Sequence, residues 1–284
     1  MGQSRVREGV AGRPQLLPPA PQPGKRAGLS GGGLGSGPKR RSLVTGYESY
    51  FYAKRYQQTV AAAGRILDLV LPRLPPIRSA VDVGCGVGAW LSVLQERGVA
   101  DVLGVDGAWV DEKLLKIPVE KFRRADLSRP LNLERRFDLA ICLEVAEHLP
   151  PERADGFVAE LAGAADFVLF SAAIPFQGGY GHVNEQWPSY WAERFAARGF
   201  AVRDWVRPRL WTDVSIPNWY RENLLLFVAE SRLGELAPAP DGLADAALPL
   251  DLVHPEAYLS KVDPDSWRLG LAVFRRALKK RRKK

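Results

Sequence analysis

The stretch of sequence that most constrains the fold is a short apolar run that ends in three closely spaced glycines. Residues 80–83 are mainly small or β-branched and predict a buried strand. Gly84, Gly86 and Gly88 follow the strand, and residues 90–97 predict a helix. Glycine permits a tight turn and a close approach of backbone amides to a ligand, and the start of a helix adds a positive dipole end. The stretch therefore predicts a strand, a ligand-binding turn and a helix.

A second predicted strand, residues 102–105, ends in Asp106, about twenty residues after the glycines. An acid at this spacing is where the hydroxyl pair of a ribose is held, which predicts an adenosine-type ligand rather than a tight turn without a ligand. Gly84, Gly86 and Ala89 also satisfy the dinucleotide pattern G-x-G-x-x-A. However, Asp82 would repel a pyrophosphate, whereas it suits the ammonium group of an amino acid. The charge at this position therefore favours a ligand that carries an amino acid.

The pattern Asp82-x-Gly84-x-Gly86-x-Gly88 resembles the first motif of class I S-adenosylmethionine-dependent methyltransferases. In that family the first acid and the glycines hold the methionine half of the cofactor. The resemblance covers roughly residues 45–230, and residues 137–150 resemble the family's fourth-strand motif. It implies a methyltransferase with S-adenosylmethionine as its cofactor.

The same resemblance assigns the cofactor-binding residues. It implies that Asp106 holds the ribose and that Asp126 contacts the adenine amino group. The family often has an apolar residue against adenine at the position of Gly107, and we expect Trp109 to take that role here. The cofactor-binding residues implied are Asp82, Gly84, Cys85, Gly86, Gly88, Asp106, Gly107, Asp126, Leu127 and Glu144.

Strand and helix patterns alternate through the middle of the chain, which predicts a parallel sheet with helices on both faces. We predict strands at residues 79–84, 101–106, 122–125, 137–143, 166–171, 200–206 and 223–229, and helices at 57–71, 151–164 and 188–198. The resemblance implies that a final reversed strand completes the sheet. The predicted fold class is therefore α/β, a Rossmann-like seven-stranded, mostly parallel sheet with helices on both faces.

Composition divides the chain into three parts. Residues 1–43 are rich in glycine, proline and arginine and predict a disordered basic tail. Residues 44–232 form the predicted methyltransferase domain. Residues 233–284 predict a linker and a basic C-terminal helix, because Trp267, Leu271 and Phe274 recur at helical spacing. We expect this helix either to pack on the domain or to contact an anionic membrane surface.

The distribution of charged residues along the chain indicates which kinds of partner it can bind. The chain has a net formal charge of +8, but residues 42–274 alone carry −7, because the basic residues are concentrated in the two tails. An acidic catalytic body argues against a nucleic-acid substrate. The two cysteines, Cys85 and Cys142, fall in the predicted core and suit a reducing, cytoplasmic compartment. The sequence indicates no oligomeric state.

The predicted loop after the fifth strand, residues 175–187, combines glycines with polar and aromatic side chains. Such a loop is typical of a substrate lid. With the run Trp219-Tyr220-Arg221-Glu222-Asn223 it resembles methyltransferases found in bacterial surface-polysaccharide clusters, which implies a small sugar or glycan acceptor. A hydroxyl acceptor requires a general base, for which His182 is the first candidate, oriented by Glu185, and His148 the second.

A metal site is the alternative for these residues. Glu144, Glu147, His148 and His182 resemble the metal site of small-RNA 3′-terminal 2′-O-methyltransferases. Carboxylates and imidazoles suit Mg or Mn, so a divalent metal remains an alternative that we do not favour, because Glu-x-x-Glu-His also occurs in methyltransferases without metal.

The sequence therefore predicts O-methylation of a small polar acceptor by a cytoplasmic enzyme. The alternatives are a metal-dependent RNA ribose 2′-O-methyltransferase, an NAD-dependent oxidoreductase and a non-catalytic subunit that keeps the fold.

Overall fold

The computed structural model describes residues 42–238 and 249–262. Almost all of the predicted N-terminal tail and the predicted helix around Trp267 lie outside these residues. Within them, no helix is both long enough and apolar enough to cross a lipid bilayer.

The described residues build one seven-stranded sheet in the order β3-β2-β1-β4-β5-β7-β6. The strands are β1 (Ser79–Val83), β2 (Asp101–Asp106), β3 (Phe122–Arg124), β4 (Phe137–Leu143), β5 (Ala165–Ser171), β6 (Phe200–Arg203) and β7 (Leu225–Ala229). Neighbouring strands are parallel except around β7, which runs antiparallel to both β5 and β6. The predicted fold class and its reversed strand are confirmed.

Helices cover both faces of the sheet. They are α1 (Ser42–Val70), α2 (Ala89–Glu96), α3 (Ala154–Ala164), α4 (Pro188–Ala196), α5 (Val206–Leu210), α6 (Asn218–Asn223) and α7 (Pro255–Val262). Successive side chains of a strand point to opposite faces, so β1 contributes Ala80 to one core and Val81 to the other. The first core is packed by α1, α2, α5 and α6, and the second by α3 and α4.

Several element boundaries differ from those that the sequence predicts. The helix predicted from residue 57 belongs to α1, which begins at Ser42 and includes the aromatic run 47–56. The helix predicted from residue 151 starts with a 3₁₀ turn, Pro151–Arg153, before α3. The strand predicted over residues 200–206 ends at Arg203, because the next residues turn Trp205 and Val206 into the core, where they are 2% and 0% exposed.

An aromatic cluster fixes α4 on the sheet. Phe195 of α4 stacks on Phe227 of β7 with ring centroids 4.0 Å apart, and it meets the ring of Phe170 edge-on at 5.5 Å. Trp191, one turn earlier in α4, packs on Phe170 at 5.3 Å. Burial of these large rings removes much apolar surface from water and holds α4, and with it the loop that precedes it, against β5.

We predict that Phe195→Ala lowers the free energy of unfolding by about 3–5 kcal/mol, because it leaves a cavity in a fully packed aromatic cluster. Tyr180→Ala, at a side chain that is 71% exposed, is the control and should change it by less than about 0.5 kcal/mol. Denaturant unfolding of both variants measures the difference. Equal effects would show that the cluster does not hold α4.

Candidate functional site

The carboxyl ends of β1, β2, β4 and β5 lie at one edge of the sheet and bring the candidate residues together. The turn after β1 depends on glycine at Gly84, whose φ is +89°. A Cβ atom at this position would lie 2.2 Å from Val145 Cγ2. Gly86 also has a positive φ, and a Cβ there would meet nothing within 4 Å, so this part of the turn faces open space. The turn therefore presents backbone to a space that a ligand can enter.

Asp106 joins this turn to the end of β2. Its Oδ2 accepts a hydrogen bond from the Gly86 amide at 2.6 Å, and its Oδ1 accepts one from the Gly107 amide at 2.6 Å. The side chain is 5% exposed, and burial raises its pKa despite the two amide donors. The carboxylate is thus held in one orientation at the place where the sequence predicts the ribose contact.

Asp82 lies at the end of β1 and is 3% exposed. Burial, and then the nearby charge of Asp106, raise the pKa of Asp82 well above its usual range. Two buried acids this close together repel each other when both are ionised. A cation bound between them would relieve that repulsion, which is the electrostatic requirement that the ammonium of an amino acid meets.

Trp109 lies directly over Gly107. A Cβ at Gly107 would fall 2.2 Å from the indole ring, so only glycine leaves room for this arrangement. The side chain of Trp109 also hydrogen-bonds to Asp106, although the tryptophan is 78% exposed. Trp109 is therefore placed beside the predicted ribose contact, and its packing on adenine stays a prediction.

Asp126 is placed differently from the other acids. Its carboxylate accepts hydrogen bonds from the amide and hydroxyl of Ser128 at 3.0 and 2.6 Å, and it pairs with Arg129. These bonds lower the pKa of Asp126, and the side chain is largely exposed. Leu127, by contrast, is buried. The contacts give Asp126 the role of closing a turn, and its contact with adenine stays a prediction.

Glu144 follows β4 with a φ of +55°, a strained conformation for a residue with a side chain. Its carboxylate accepts hydrogen bonds from Gln177 Nε2 at 3.1 Å and from Asn223 Nδ2 at 3.2 Å. Burial raises its pKa. The sequence does not indicate either amide partner, because Gln177 and Asn223 are 33 and 79 residues away along the chain.

Glu147, His148 and His182 form a compact cluster. One ligand atom from each lies within 4.8 Å of the others. Glu147 is 1% exposed, and neither of its carboxylate oxygens has a hydrogen-bond partner among the described residues. Burial, followed by the charge of Glu144, raises the pKa of Glu147 to about 9. Burial and the neighbouring His182 lower the pKa of His148, which keeps its imidazole neutral.

Glu185 organises the loop between β5 and α4. It accepts hydrogen bonds from the amides of Phe176 at 2.9 Å and Gly178 at 2.6 Å, and its Oε1 lies 3.0 Å from His182 Nδ1. The ring of His182 fills the space above Gly179, where a Cβ would lie 2.1 Å from Nε2. The backbone carbonyl of Glu147 accepts two more amides from this loop. The structure thus places Glu185 against His182, as the sequence suggests, and fixes the ring by its Nδ1.

Residues 249–262 return to this edge of the domain and form a strap across it. The carbonyl of Leu250 accepts a hydrogen bond from the buried Arg207 at 2.8 Å. Arg221, 2% exposed, pairs with Glu256 at 2.5 Å. Lys261 Nζ donates to the carbonyl of Gln177 at 2.7 Å. The sequence predicts a linker here, because composition does not show that two buried arginines, Arg207 and Arg221, also bond to this segment.

Glu222 connects α6 to the strap. Its Oε1 accepts the amide of His254 at 2.7 Å, whereas its Oε2 is buried with no hydrogen-bond partner among the described residues. Burial raises the pKa of Glu222 from its usual 4.5 to about 7. The folded chain therefore holds a proton here that the unfolded chain has already lost near neutral pH.

Comparison with known proteins identifies the family to which the chain belongs. The family described as "Methyltransferase domain" matches residues 52–204, more than half of the chain. The chain belongs to this methyltransferase family. The membership confirms the prediction of an S-adenosylmethionine-dependent methyltransferase and of its cofactor. It therefore argues against the alternative of an NAD-dependent oxidoreductase.

Two curated methyltransferases are similar over part of their length. One is the chloroplastic magnesium protoporphyrin IX methyltransferase of Arabidopsis thaliana, 29% identical over 90 residues, which are 30% of this chain and 29% of that protein. The other is the ubiquinone biosynthesis O-methyltransferase of Methylococcus capsulatus, 35% identical over 105 residues, or 33% of this chain and 43% of that protein. The methyltransferase thus spans less than half the length of each curated relative it matches.

Solved structures also resemble the chain. Streptomyces venezuelae DesVI is 17% identical with a TM-score of 0.47, over 65% of this chain and 98% of that one. The magnesium protoporphyrin IX methyltransferase of Synechocystis, solved with bound S-adenosylmethionine, is 22% identical with a TM-score of 0.39, over 68% of this chain and 86% of that one.

The residues present fit the cofactor of the family. The open face at Gly86 admits a ligand, the fixed carboxylate of Asp106 can accept hydrogen bonds from ribose hydroxyls, and a cation beside the buried Asp82 would stabilise its charged form. The contacts of Asp82 and Asp106 with the two ends of the cofactor stay predictions.

We predict that Asp106→Ala weakens binding of S-adenosylhomocysteine at least about tenfold, since it removes a charged acceptor of ribose hydroxyls. Asp111→Ala is the matched control, because this exposed acid only accepts the amide of Lys113. Calorimetric titration measures both affinities. If Asp106→Ala bound as tightly as the control, the ribose assignment would be wrong.

We predict that the free energy of unfolding falls as the pH rises from about 5 to about 7, because folding takes up a proton at Glu222 in this window. Below the usual pKa of the carboxyl both states hold the proton, and above the folded-state pKa both have lost it. Glu222→Gln should reduce the slope of the profile in this window, whereas the exposed Glu230→Gln should not; Glu147, whose pKa is also raised, contributes to the slope that remains. Urea unfolding at several pH values tests this, and identical profiles for wild type and Glu222→Gln would exclude it.

Proposed function

We propose that this methyltransferase transfers a methyl group from S-adenosylmethionine to an oxygen of a small polar acceptor, with a hydroxyl of a sugar or glycan precursor as the first choice. The cofactor supplies an activated methyl group on a sulfonium. The protein therefore has to position the acceptor and accept its proton. The observation that carries the proposal is the His182–Glu185 contact in the loop that closes over this edge of the sheet.

His182 has the geometry of a general base. Its Nδ1 lies 3.0 Å from Glu185, so a proton on Nδ1 is shared with a carboxylate and Nε2 is left to accept another. Glu185 itself is fixed by the amides of Phe176 and Gly178. The ring orientation is therefore set before an acceptor arrives. This arrangement supports His182 as the base, Glu185 as its positioning residue and His148 as a neutral neighbour.

Several features support a sugar hydroxyl. Two pairs of amide side chains lie near the acids that follow β4: Asn223 donates to Gln177 at 2.9 Å, and both bond to Glu144, whereas Gln186 donates to Asn184 at 2.9 Å, and the amide of Asn184 bonds to the Glu147 carbonyl. Trp187, which is 37% exposed, adds an aromatic face beside them. Amides bond hydroxyls, and aromatic faces stack on the C–H face of a sugar ring. One curated relative is an O-methyltransferase by name, which agrees with an oxygen acceptor.

A second candidate is metal-dependent 2′-O-methylation of an RNA ribose. The specific observation is the cluster of Glu147, His148 and His182, in which both oxygens of the buried Glu147 lack a described partner. Two imidazoles and a carboxylate suit a divalent cation, which would bind the ribose hydroxyls. The acidic charge of residues 42–274 opposes RNA, so this function ranks second.

We predict that turnover with a sugar acceptor, measured as release of S-adenosylhomocysteine over a panel of nucleotide sugars, persists in EDTA. The proton goes to His182 in the proposed mechanism, so no cation is needed. The control is the same assay with added Mg²⁺ and short single-stranded RNA. Turnover only with RNA, and only with Mg²⁺, would replace the proposal by the second candidate.

We predict that His182→Ala lowers turnover about a hundredfold or more, without weakening binding of S-adenosylhomocysteine, because the general base acts on the acceptor alone. Glu185→Gln keeps the size of the side chain but loses its charge, and it should cause a smaller loss and change the pH–rate profile. Steady-state kinetics and calorimetry measure the two effects. A parallel loss of cofactor affinity in His182→Ala would place this residue on the cofactor side.

A further inference from the structure

Exposed apolar side chains are concentrated around the mouth of the site. Of the twelve large apolar residues that are exposed in the described ranges, eight lie in the loop after β5 or in the strap. We call seven of these eight, all except Trp187, the apolar rim: Phe176, Tyr180, Val183, Val253, Tyr258, Leu259 and Val262. Scattered exposed apolar residues are ordinary, whereas a concentration of this kind usually marks an interaction site.

The two segments of the apolar rim form one surface because they are bonded to each other. Lys261 Nζ donates to the carbonyl of Gln177 and lies 3.6 Å from the Cβ position of Gly178. Asp251 accepts both the amide and the hydroxyl of Ser189, at 2.9 and 2.7 Å, which ties the strap to the start of α4. The loop and the strap therefore meet on both sides of the rim.

The exposure of these side chains is imposed by the fold. Phe176 has a φ of +70°, an unfavourable conformation for a bulky residue, and its amide is held by Glu185. On α7, Tyr258, Leu259 and Val262 lie on one face, because positions four apart are neighbours on a helix. That helix is fixed by the ion pair of Arg221 with Glu256. Hydrogen bonds and an ion pair thus hold the segments that carry the apolar rim in fixed positions.

The charge of the chain indicates what the apolar rim contacts. The sequence continues directly from α7 with residues 263–284, which contain nine Lys or Arg and two Asp. The acids that flank the rim are engaged: Glu256 pairs with Arg221, and Asp251 binds Ser189. Apolar side chains next to a strongly basic segment match the two attractions of an anionic bilayer, namely its acyl chains and its charged headgroups. Four of the seven rim side chains are aliphatic and offer no stacking surface for nucleic-acid bases, and the catalytic body is acidic, so RNA fits the rim less well than a bilayer does.

We propose that the apolar rim is a docking surface for an anionic lipid bilayer. Phe176, Tyr258 and Leu259 enter the headgroup boundary, and the positive charge of the sequence that follows α7 adds an attraction to the anionic headgroups. The mouth of the site then faces the membrane surface. This inference goes beyond the proposed methyl transfer and does not depend on it.

The test uses the full chain and sedimentation with lipid vesicles, in the absence of cofactor and acceptor. Vesicles of equal parts phosphatidylcholine and phosphatidylglycerol should bind the protein, and binding should weaken with salt. Pure phosphatidylcholine vesicles should bind it at least about tenfold more weakly. Equal binding to both compositions, or no binding to either, would overturn the proposal.

Variants separate the two attractions. The double substitution Tyr258→Glu with Leu259→Glu should reduce binding to the anionic vesicles at least about tenfold. Val119→Glu is the matched control: Val119 is 55% exposed, close to the 56% and 60% of the other two, but it precedes the edge strand β3. Replacing the six basic residues 279–284 by glutamine should cause a loss of similar size.

Two further readouts keep the outcome interpretable. Each variant is titrated with S-adenosylhomocysteine, and unchanged affinity shows that the fold and the cofactor site are intact. Single-stranded RNA is then added to vesicle-bound protein. If the glutamate variants bind anionic vesicles as well as Val119→Glu does, or if RNA binds the wild type while vesicles do not, the docking surface is not the one proposed. Loss of methyl transfer with intact vesicle binding would concern only the proposed function.

Discussion

The carboxylate of Asp106 is the constraint on which the site depends. By accepting the amides of Gly86 and Gly107 it ties the turn after β1 to the end of β2, and so it fixes the position of the glycine turn relative to both strands. This arrangement brings a second buried acid, Asp82, close to it, and burial makes ionisation of both costly. These buried acids are therefore stabilised either by protonation or by a ligand that brings a cation and hydrogen-bond donors. The cofactor of the family has an ammonium group and ribose hydroxyls that fit this requirement.

The same electrostatic problem recurs at the end of β4. Glu144 and Glu147 are separated by one short turn, and burial raises the pKa of each. Glu144 is stabilised by two amides, from Gln177 and Asn223, whereas the carboxylate of Glu147 has no described partner. An unpartnered buried carboxyl lowers stability unless it is protonated or meets a ligand. The acceptor side therefore contains a buried carboxyl without a hydrogen-bond partner among the described residues, beside the two imidazoles on which the proposed general base and the second candidate function both depend.

How much of this could be predicted from the sequence depends on the range of the interactions. The glycine turn and Asp106 lie within about twenty residues, and their spacing alone predicts the strand, turn and strand that hold them. The mostly parallel sheet and its reversed strand follow from the alternation of strands and helices together with the family resemblance. In contrast, the amides on Glu144 come from a distant loop and from the end of α6, and the Leu250 carbonyl on Arg207 and the Glu256 carboxylate on Arg221 come from the strap, so no local pattern contains these contacts. The strand predicted to reach residue 206 ends at Arg203 for a similar reason: the burial of Trp205 and Val206 outweighs β propensity.

Gln177 connects the outer surface of the molecule to the acids of the site. Its carbonyl accepts Lys261 from the strap, its side-chain amide donates to Glu144, and its side-chain oxygen accepts Asn223. A displacement of the strap would therefore move the loop after β5. This loop contains His182, and it is hydrogen-bonded to Glu144 through Gln177. Since α7 carries part of the apolar rim and Lys261 in a single helix, whatever contacts the rim also bears on the hydrogen bonds of the acceptor side. The loop, the strap and the rim are thus best understood as one unit that completes the acceptor side, although composition alone assigns the strap to a linker.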